Sequence, residues 1–364
     1  MKTVLTITGI RPDFIRMSEI FEKLDKNFNH ILIHTGQHYD ELLSGVFFKE
    51  LKIRKPDYNL SVGSSGKEHF HQLSELSVNL IKLIRMVNIR PDMILFLGDS
   101  NSVCSALPLR KEGYTIGHIE AGMRSGDKKM LEEINRTVCD HCSNYHFVYH
   151  EDYKQNLIKE NLPEENIFVV GNTIVEPCKK ILSSLNLGPK ENSHILMDIH
   201  RPENFKHKNR LENIIEYAET LSKIYKIPVK MLDFKRTREH IENFGISTKG
   251  IQIIDLMSYV DFIKFQYHSK FIISDSGTAQ EEPALLETPV LVPRDYAERP
   301  QSVNNGCSVM IDVNSKNQCG KSTWFKSYQF IDTYGDAQET HDREKWLGDG
   351  ETSTNIINKL KKIL

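Results

Sequence analysis

Short aliphatic or β-branched runs alternate with helix-length periodic segments along most of the chain, and no other feature constrains the fold as tightly. The runs TVLTITG (3–9), HILIHTG (30–36), DMILFLG (92–98), TIGHIEAG (115–122), YHFVYH (145–150) and IFVVGN (167–172) are separated by segments such as 14–26 and 69–88. Strands that are apolar throughout, with helices between them, indicate a parallel sheet covered on both faces, because a half-exposed strand would alternate with polar residues. After VEPCKKILSSLNLGPKENSH the series restarts with HILMDIH (194–200), PVKML (228–232), IQIID (251–255), KFIISD (270–275) and TPVLVPRD (288–295). A chain of 364 residues is long for one domain of about 150. It therefore reads as α/β, with two doubly wound domains joined near 171–190 and sharing a cleft. Residues 315–350 are polar with little periodicity and read as a surface excursion. Ile356, Ile357, Leu360 and Leu364 recur at helical spacing behind Thr352 and Ser353 as cap candidates, so the last helix should dock.

Composition removes several classes of function. Lys plus Arg (47) nearly balance Asp plus Glu (49), leaving a net charge of −2 and no basic field to gather nucleic acid. Six irregularly spaced cysteines read as free, reduced thiols rather than a disulfide framework. MKTVLTITGIRP lacks the apolar region and cleavage site of a signal peptide. The aliphatic runs are far shorter than the ~20 residues of a membrane span. The expectation is a soluble cytoplasmic chain with no membrane or nucleic-acid partner. No G-x-G-x-x-G follows any strand, which argues against a nicotinamide cofactor.

In open α/β sheets, ligands bind outside the carboxyl ends of the strands, where loops and helix N-termini present unpaired amides. GIRPDFIR follows the first strand with Arg11 and Arg16, guanidiniums suited to a diphosphate. The alternative is two solvated arginines beside a Pro12 that merely starts a helix. LFLGDSNS and HIEAGMRSG place Asp99 and Glu120 just beyond their strands, where two carboxylates can share acid and base work. Asp99 reads equally as a helix cap. KMLEEINRTVCDHC reads as a helix with Ile134, Val138 and Cys142 inward, opened by Glu132 and Glu133, at least one of which complements the helix dipole. Cys139 and Cys142, with His141, His146 and His150, splay across a helix and a strand instead of converging as four zinc ligands must, so no metal is expected.

DIHRPENF brings His200 and Arg201 to another strand end, where a histidine can pair with phosphate, move a proton, or be a satisfied structural group. In ISDSGTAQEEPALLE, Ser276 and Gly277 open a helix whose free amides would receive a phosphate, with Thr278 as a cap and Pro283 near the first turn. Glu281 or Glu282, one turn in, would repel that phosphate and suits hydrogen bonds from sugar hydroxyls. RDYAERP adds Arg294 and Arg299, the second returning toward the phosphates. Together these residues describe a nucleotide diphosphate on the second domain, with first-domain carboxylates facing whatever it carries.

The ordered set GIRPDFIR, TGQHYD, GDSNS, HIEAGMRSGD, EEINR, GNT, HRPEN, SDSG with QEE, RDYAERP and GDG (348–350) resembles the non-hydrolysing UDP-N-acetylglucosamine 2-epimerases over nearly the whole chain. The resemblance implies two Rossmann-like domains facing a central cleft, in a glycosyltransferase-B-like arrangement. Residues 1–172 with 351–364 would form the carboxylate-bearing domain and 173–350 the UDP-binding one, usually as a homodimer. Carried over motif by motif, Asp99, Glu120 and Glu132 are the catalytic carboxylates and His200 the essential histidine. Arg11, Arg16, Phe262, Ser276, Gly277, Glu282 and Arg299 are the UDP contacts, with Phe262 beside the uracil and Glu282 on the ribose.

The chemistry implied is that of an isomerase serving surface polysaccharide biosynthesis without NAD or metal. The hydrogen on C2 of such a sugar is not next to a carbonyl, so direct proton exchange is out of reach. Anti elimination of UDP to a glycal, followed by its re-addition, inverts C2 with carboxylate acid and base groups and strong anion stabilisation. Which carboxylate is acid and which is base stays open. Pro202 replaces an arginine of the family's allosteric site, and Ser44, Gly66 and Lys67 also depart there, so no substrate activation is expected. Thr278 in place of glycine resembles the sister enzymes acting on UDP-N-acetyl-6-deoxy-L-hexosamines, though Asp233, Phe234 and Lys235 depart from these; Leu131 replaces a proline. The alternatives are that 6-deoxy-sugar epimerase, a hydrolysing epimerase releasing N-acetylmannosamine and UDP, a glycosyltransferase, and a silent nucleotide-sugar-binding protein.

Overall fold

The computed structural model describes residues 1–36, 48, 50–62, 69–314, 321–334 and 343–364. The chain divides into two compact units, Met1–Pro177 with Leu347–Leu364, and Cys178–Trp346. Residues 37–40 of TGQHYD, and Ser44, Gly66 and Lys67, lie outside the described residues.

The first unit is built on β1 (Thr3–Thr8), β2 (Asn29–His34), β3 (Tyr58–Asn59), β4 (Met93–Leu97), β5 (Ile116–Ile119), β6 (Tyr145–Val148) and β7 (Ile167–Val169). Their order is β3-β2-β1-β4-β5-β6-β7, and every paired neighbour is parallel. Because successive side chains leave a strand on opposite faces, β4 sends Met93, Leu95 and Leu97 into one core layer and Ile94 and Phe96 into the other. The sheet is thus covered on both sides, as apolar strands demand. The helix Arg11–Asn27 buries Phe14, Met17, Ile20, Phe21 and Leu24 on the first of these faces.

The last helix, Thr352–Ile363, adds Ile356, Ile357 and Leu360 to that same layer of the first unit. Its expected caps sit elsewhere. Glu351 is the N-cap position, while Thr352 Oγ1 donates to the Asn172 carbonyl (3.2 Å) and the Ser353 amide donates to the Glu176 carboxylate (2.7 Å). A carboxylate from another segment therefore caps this helix, which no local pattern reveals. Gly348, at φ +95°, could not carry a side chain, because a Cβ would stand 2.9 Å from Gly171 Cα.

The second unit repeats the scheme with β8 (His194–Asp198), β9 (Val229–Leu232), β10 (Ile251–Ile254), β11 (Ser269–Ser274), β12 (Val290–Val292) and β13 (Ser308–Met310), in the order β10-β9-β8-β11-β12-β13, again all parallel. Phe271 and Ile273 enter one core layer and Ile272 the other. Within 315–350, expected to be an excursion, residues Lys321–Thr333 form a helix that buries Ile331 and Ser327, with Tyr217 and Ser327 hydroxyls in contact. Its single buried aliphatic left no period to detect in sequence.

Both sheets are doubly wound with the Rossmann order, the glycosyltransferase-B-like class of fold. Each has one topological switch point, between β1 and β4 and between β8 and β11, where strand order reverses and ligands bind in such sheets. No helix among the described residues is long and apolar enough to cross a membrane.

Candidate functional site

At the switch point of the first unit, β1 ends and the helix Arg11–Asn27 begins, with Pro12 in its first turn and Arg11 half-buried at its start. Asp13 is 5 % exposed and accepts a hydrogen bond from Ser100 Oγ (3.3 Å). Across the switch, Gly98 ends β4 and leads into half-buried Asp99, which pairs with Arg136. Asp99 is not a cap, since the turn Asn101–Ser105 has Ser100 in that position. Glu120, just beyond β5, is a left-handed non-glycine residue at φ +70° whose amide donates to the Phe147 carbonyl (3.0 Å). Such backbone costs about 1–3 kcal/mol and persists where the surroundings enforce it. Arg16 is buried rather than solvated, its Nη1 3.2 Å from Asn172 Oδ1 and 3.5 Å from Glu120 Oε2.

Asp13, to which no sequence motif pointed, lies at the same switch point as Asp99 and Glu120. Burial, then the negative charges of Asp99 and Glu120, raise its pKa well above the usual carboxylate value, against the hydrogen bonds from Ser100 and Gly9. An acid whose pKa is raised by folding binds more protons folded than unfolded between the two values, so stability falls as pH rises across that interval. Asp13→Asn cannot ionise and escapes this loss. Its Tm should exceed that of the parent at neutral pH, with the advantage shrinking as pH falls toward about 4, the unfolded aspartate value. Thermal denaturation over that range checks it; a Tm difference constant with pH would contradict a shifted Asp13.

The helix Leu131–Cys142 is turned opposite to expectation. Leu131 and Ile134 are 52 and 51 % exposed and Val138 and Cys142 half-buried, while Glu133, Asn135, Arg136, Cys139 and Asp140 face inward. Cys139 joins an apolar core layer and Cys142 packs against it, as expected of Cys142, but the rest of the buried face is polar, and its burial follows the ion pairs and not the aliphatics. Arg136 spans Asp99 and Glu133, at 3.3 Å from the latter. The Glu133 carboxylate also accepts the amides of Ser125 (3.0 Å) and Gly126 (3.2 Å). Asn135 Nδ2 donates to the Asp99 carbonyl (2.9 Å). Glu132, the catalytic carboxylate that the resemblance implies, is half-buried beside this network. The signal for the inward face was present: Glu133, Arg136 and Asp140 recur at three and four residues.

At the switch point of the second unit, His200 lies two residues past β8. Its Nδ1 is 2.8 Å from Asp198 Oδ1 and 3.7 Å from Asp275 Oδ1, its ring centroid is 4.9 Å from that of Phe234, and its side chain is 32 % exposed. Burial alone would lower its pKa, but Asp198 and Asp275 prevail and raise it, favouring the imidazolium. Among the described residues, Asp198, His200 and Asp275 are the one group with metal-ligand proximity, with ligand atoms within 4.8 Å. Their oxygens already serve N–H and O–H donors. Asp275 accepts the amides of His200 (3.0 Å) and Arg201 (3.1 Å) and Asn204 Nδ2 (2.8 Å), and Asp198 accepts Ser274 Oγ (3.1 Å). The donor set orients a histidine.

Beyond β11 the expected helix is two short pieces, a 3-10 turn Thr278–Gln280 and a single turn Glu282–Leu285 with Pro283 at its start. Gly277, not Thr278, holds the cap position, and the Ser276 amide is already donated to Ser274 Oγ (3.0 Å). The two adjacent glutamates divide their tasks. Glu281 is buried against Arg299 Nε (2.6 Å). Glu282 accepts Tyr259 Oη (2.8 Å) on one oxygen and Gln266 Nε2 (3.0 Å) on the other. Gly277 stands beside the Arg299 guanidinium, since a Cβ there would lie 3.6 Å from Nη2. Arg294 is a buried partner of Glu298 (2.7 Å) and Glu203 (2.9 Å). Phe262 is half-buried against Leu196, Leu232, Ile272, Val290 and Val292.

The family model described as UDP-N-acetylglucosamine 2-epimerase matches residues 22–361. A UDP-N-acetylglucosamine 2-epimerase of Methanocaldococcus jannaschii is 35 % identical over 330 residues, 85 % of this chain and 88 % of its own. A UDP-2,3-diacetamido-2,3-dideoxy-D-glucuronate 2-epimerase of Pseudomonas aeruginosa is 32 % identical over 319 residues, with the same shares covered, 85 and 88 %. The crystal structure of Methanocaldococcus jannaschii UDP-GlcNAc 2-epimerase in complex with UDP-GlcNAc and UDP has a TM-score of 0.86 at 31 % identity, covering 99 % of each chain. With the family model matched from residue 22 to 361, the structural match covering 99 % of the chain, and carboxylates, arginines and a histidine gathered at the switch points, the chain belongs to the UDP-N-acetylglucosamine 2-epimerase family of isomerases.

Proposed function

We propose that the chain is a non-hydrolysing UDP-N-acetylhexosamine 2-epimerase acting on UDP-N-acetylglucosamine. The observation that carries this reading is the gathering of Asp13, Asp99 and Glu120 at one switch point, with Asp99 and Glu120 acting on Asp13. A carboxylate of the first unit takes the proton from C2 while the C1–O bond to UDP breaks, leaving a glycal. UDP then re-forms the C1–O bond as a second carboxylate returns a proton to the opposite face of C2. Glu120, Asp99 and Glu132 are the candidates for these steps. Arg11 and Arg16 extend the anion contacts from the first unit. In the second unit Gly277, Ser276, Arg299 and the imidazolium of His200 hold the diphosphate as it departs. Glu282, aligned by Tyr259 and Gln266, takes the ribose, and Phe262 lies against the uracil.

The route moves one proton and one leaving group in each direction, so the proposal includes no redox cofactor and no metal. It also places the enzyme in the cytoplasm, in the supply of nucleotide sugars for surface glycans, as a homodimer. A specific residue, Thr278 in place of glycine, supports a second reading in which the sugar is a UDP-N-acetyl-6-deoxy-L-hexosamine.

Incubation in heavy water separates these readings. Deuterium should enter C2 of UDP-N-acetylglucosamine as its epimer appears, with no free N-acetylmannosamine. Exchange only into UDP-N-acetyl-L-rhamnosamine would transfer the assignment to the 6-deoxy sugar, and free sugar would mark a hydrolase. Absence of exchange into either nucleotide sugar would refute epimerisation.

A further inference from the structure

We propose that His118 is a positioning residue of the acid–base site, a buried imidazolium that bolts the backbone leading into Asp99 to the segment on both sides of Glu120. The inference rests on the 2-epimerase reading for what those carboxylates do. His118 lies on β5 with no exposed surface. Its Nδ1 is 2.7 Å from Asp140 Oδ1 and its Nε2 is 2.8 Å from the carbonyl oxygen of Gly98, the residue before Asp99. A carbonyl oxygen has no proton to give, and neither has an ionised carboxylate, so both ring nitrogens must donate. A neutral imidazole, with one N–H, would leave one of these two buried contacts as acceptor against acceptor.

Asp140 is equally buried, and its other oxygen accepts the amide of Gly122 (3.1 Å) and Arg124 Nη1 (2.8 Å). One carboxylate thus holds the residue two before Glu120 through His118 and the residue two after it through Gly122. The left-handed backbone of Glu120 at φ +70° sits between these anchors. Gly122 admits no side chain, because a Cβ would lie 2.3 Å from the Tyr153 carbonyl oxygen. Cys139 and Asp140 of the helix Leu131–Cys142, Arg124 of the loop between β5 and that helix, and His146 of β6 are the titratable groups around the pair. Burial alone would lower the pKa of His118, yet Cys139 and Asp140 raise it well above the ordinary value, and Asp140 is held down at about 2. His146, lowered by burial, adds no lasting positive charge at neutral pH.

Nuclear magnetic resonance of the full chain with 15N-labelled histidine tests the charge without reference to activity. His118, assigned by the signals lost in His118→Gln, should show protons on both ring nitrogens from about pH 5.5 to about pH 8.5, where an ordinary histidine would titrate. A neutral ring or a titration in that window would overturn the proposal, and if His118→Gln does not fold, assignment by through-bond correlations in a 13C,15N-labelled parent sample keeps this test decisive. Kinetics test the positioning. His118→Phe should lower kcat per UDP-binding site on the order of 100-fold, the size of effect expected from misplaced reacting groups, with KM and UDP affinity unchanged. His118→Gln, which keeps two N–H donors, should recover part of that loss. An unchanged kcat per site in His118→Phe, or a rise in KM alone, would remove the positioning role. If the parent protein shows the doubly protonated ring but no C2 exchange in heavy water, the epimerase reading falls and the charged His118 stands.

Discussion

Glu120→Gln is expected to lose turnover by on the order of 1,000-fold, within the usual range for a general acid–base group, while UDP affinity stays that of the parent. The substitution keeps the side-chain length and an acceptor oxygen for Arg16, 3.5 Å from the native carboxylate, but removes the basic site. The left-handed backbone is preserved, because glutamine and glutamate have the same branching at Cβ. Most of the groups proposed to hold UDP belong to the other compact unit, and Arg16, the proposed UDP contact beside Glu120, keeps an acceptor oxygen, so UDP binding should survive the loss of proton transfer. Isothermal calorimetry with UDP and C2 deuteration measured on one preparation make the comparison. Parent-like deuteration would take Glu120 off the catalytic list; equal losses of binding and exchange would point to a damaged fold.

Arg136→Met should destabilise the chain by about 3 kcal/mol, the lower end of the cost of removing one partner from a buried ion pair. Arg136 is 2 % exposed, whereas its partners Glu133 and Asp99 keep 11 and 26 % of their side chains in solvent, which moderates the effect. Glu133 also keeps its bonds from the amides of Ser125 and Gly126. Urea unfolding at a constant m value gives the measurement. Adding Glu133→Gln to Arg136→Met should restore part of the loss, since the uncompensated carboxylate is then gone. A shift below about 1 kcal/mol, the level of a surface pair, would show that Arg136 does not hold this corner. Lysine would be a poor substitute, lacking the planar fork that reaches two carboxylates at once.

Much of the architecture was legible because it is written in short-range patterns. The apolar runs become the major strands of both sheets, with ends shifted by a few residues, and Asp99, Glu120, His200 and Ser276 fall beyond strand ends as expected. The two-residue β3, the short β13 and the helix Lys321–Thr333 escaped, each carrying too few apolar positions for a period to emerge. The helix Leu131–Cys142 was misread for a different reason. Hydrophobic periodicity presumes an apolar interior, and here most of the buried face is polar, with Arg136 paired to Asp99 and Glu133 and Asp140 to His118.

By itself, the sequence determined the succession of strands and helices, the doubling of that succession, and which residues stand where each strand gives way to a loop. Those properties depend on neighbours a few positions apart. Only the tertiary structure decided that Glu281 serves Arg299 while Glu282 is held by Tyr259 and Gln266, that Asp13 joins Asp99 and Glu120, and that His118 meets both Gly98 and Asp140. A charged group can be buried only where its counterparts are brought to it, and those counterparts come from segments that the sheets, not the local sequence, set side by side.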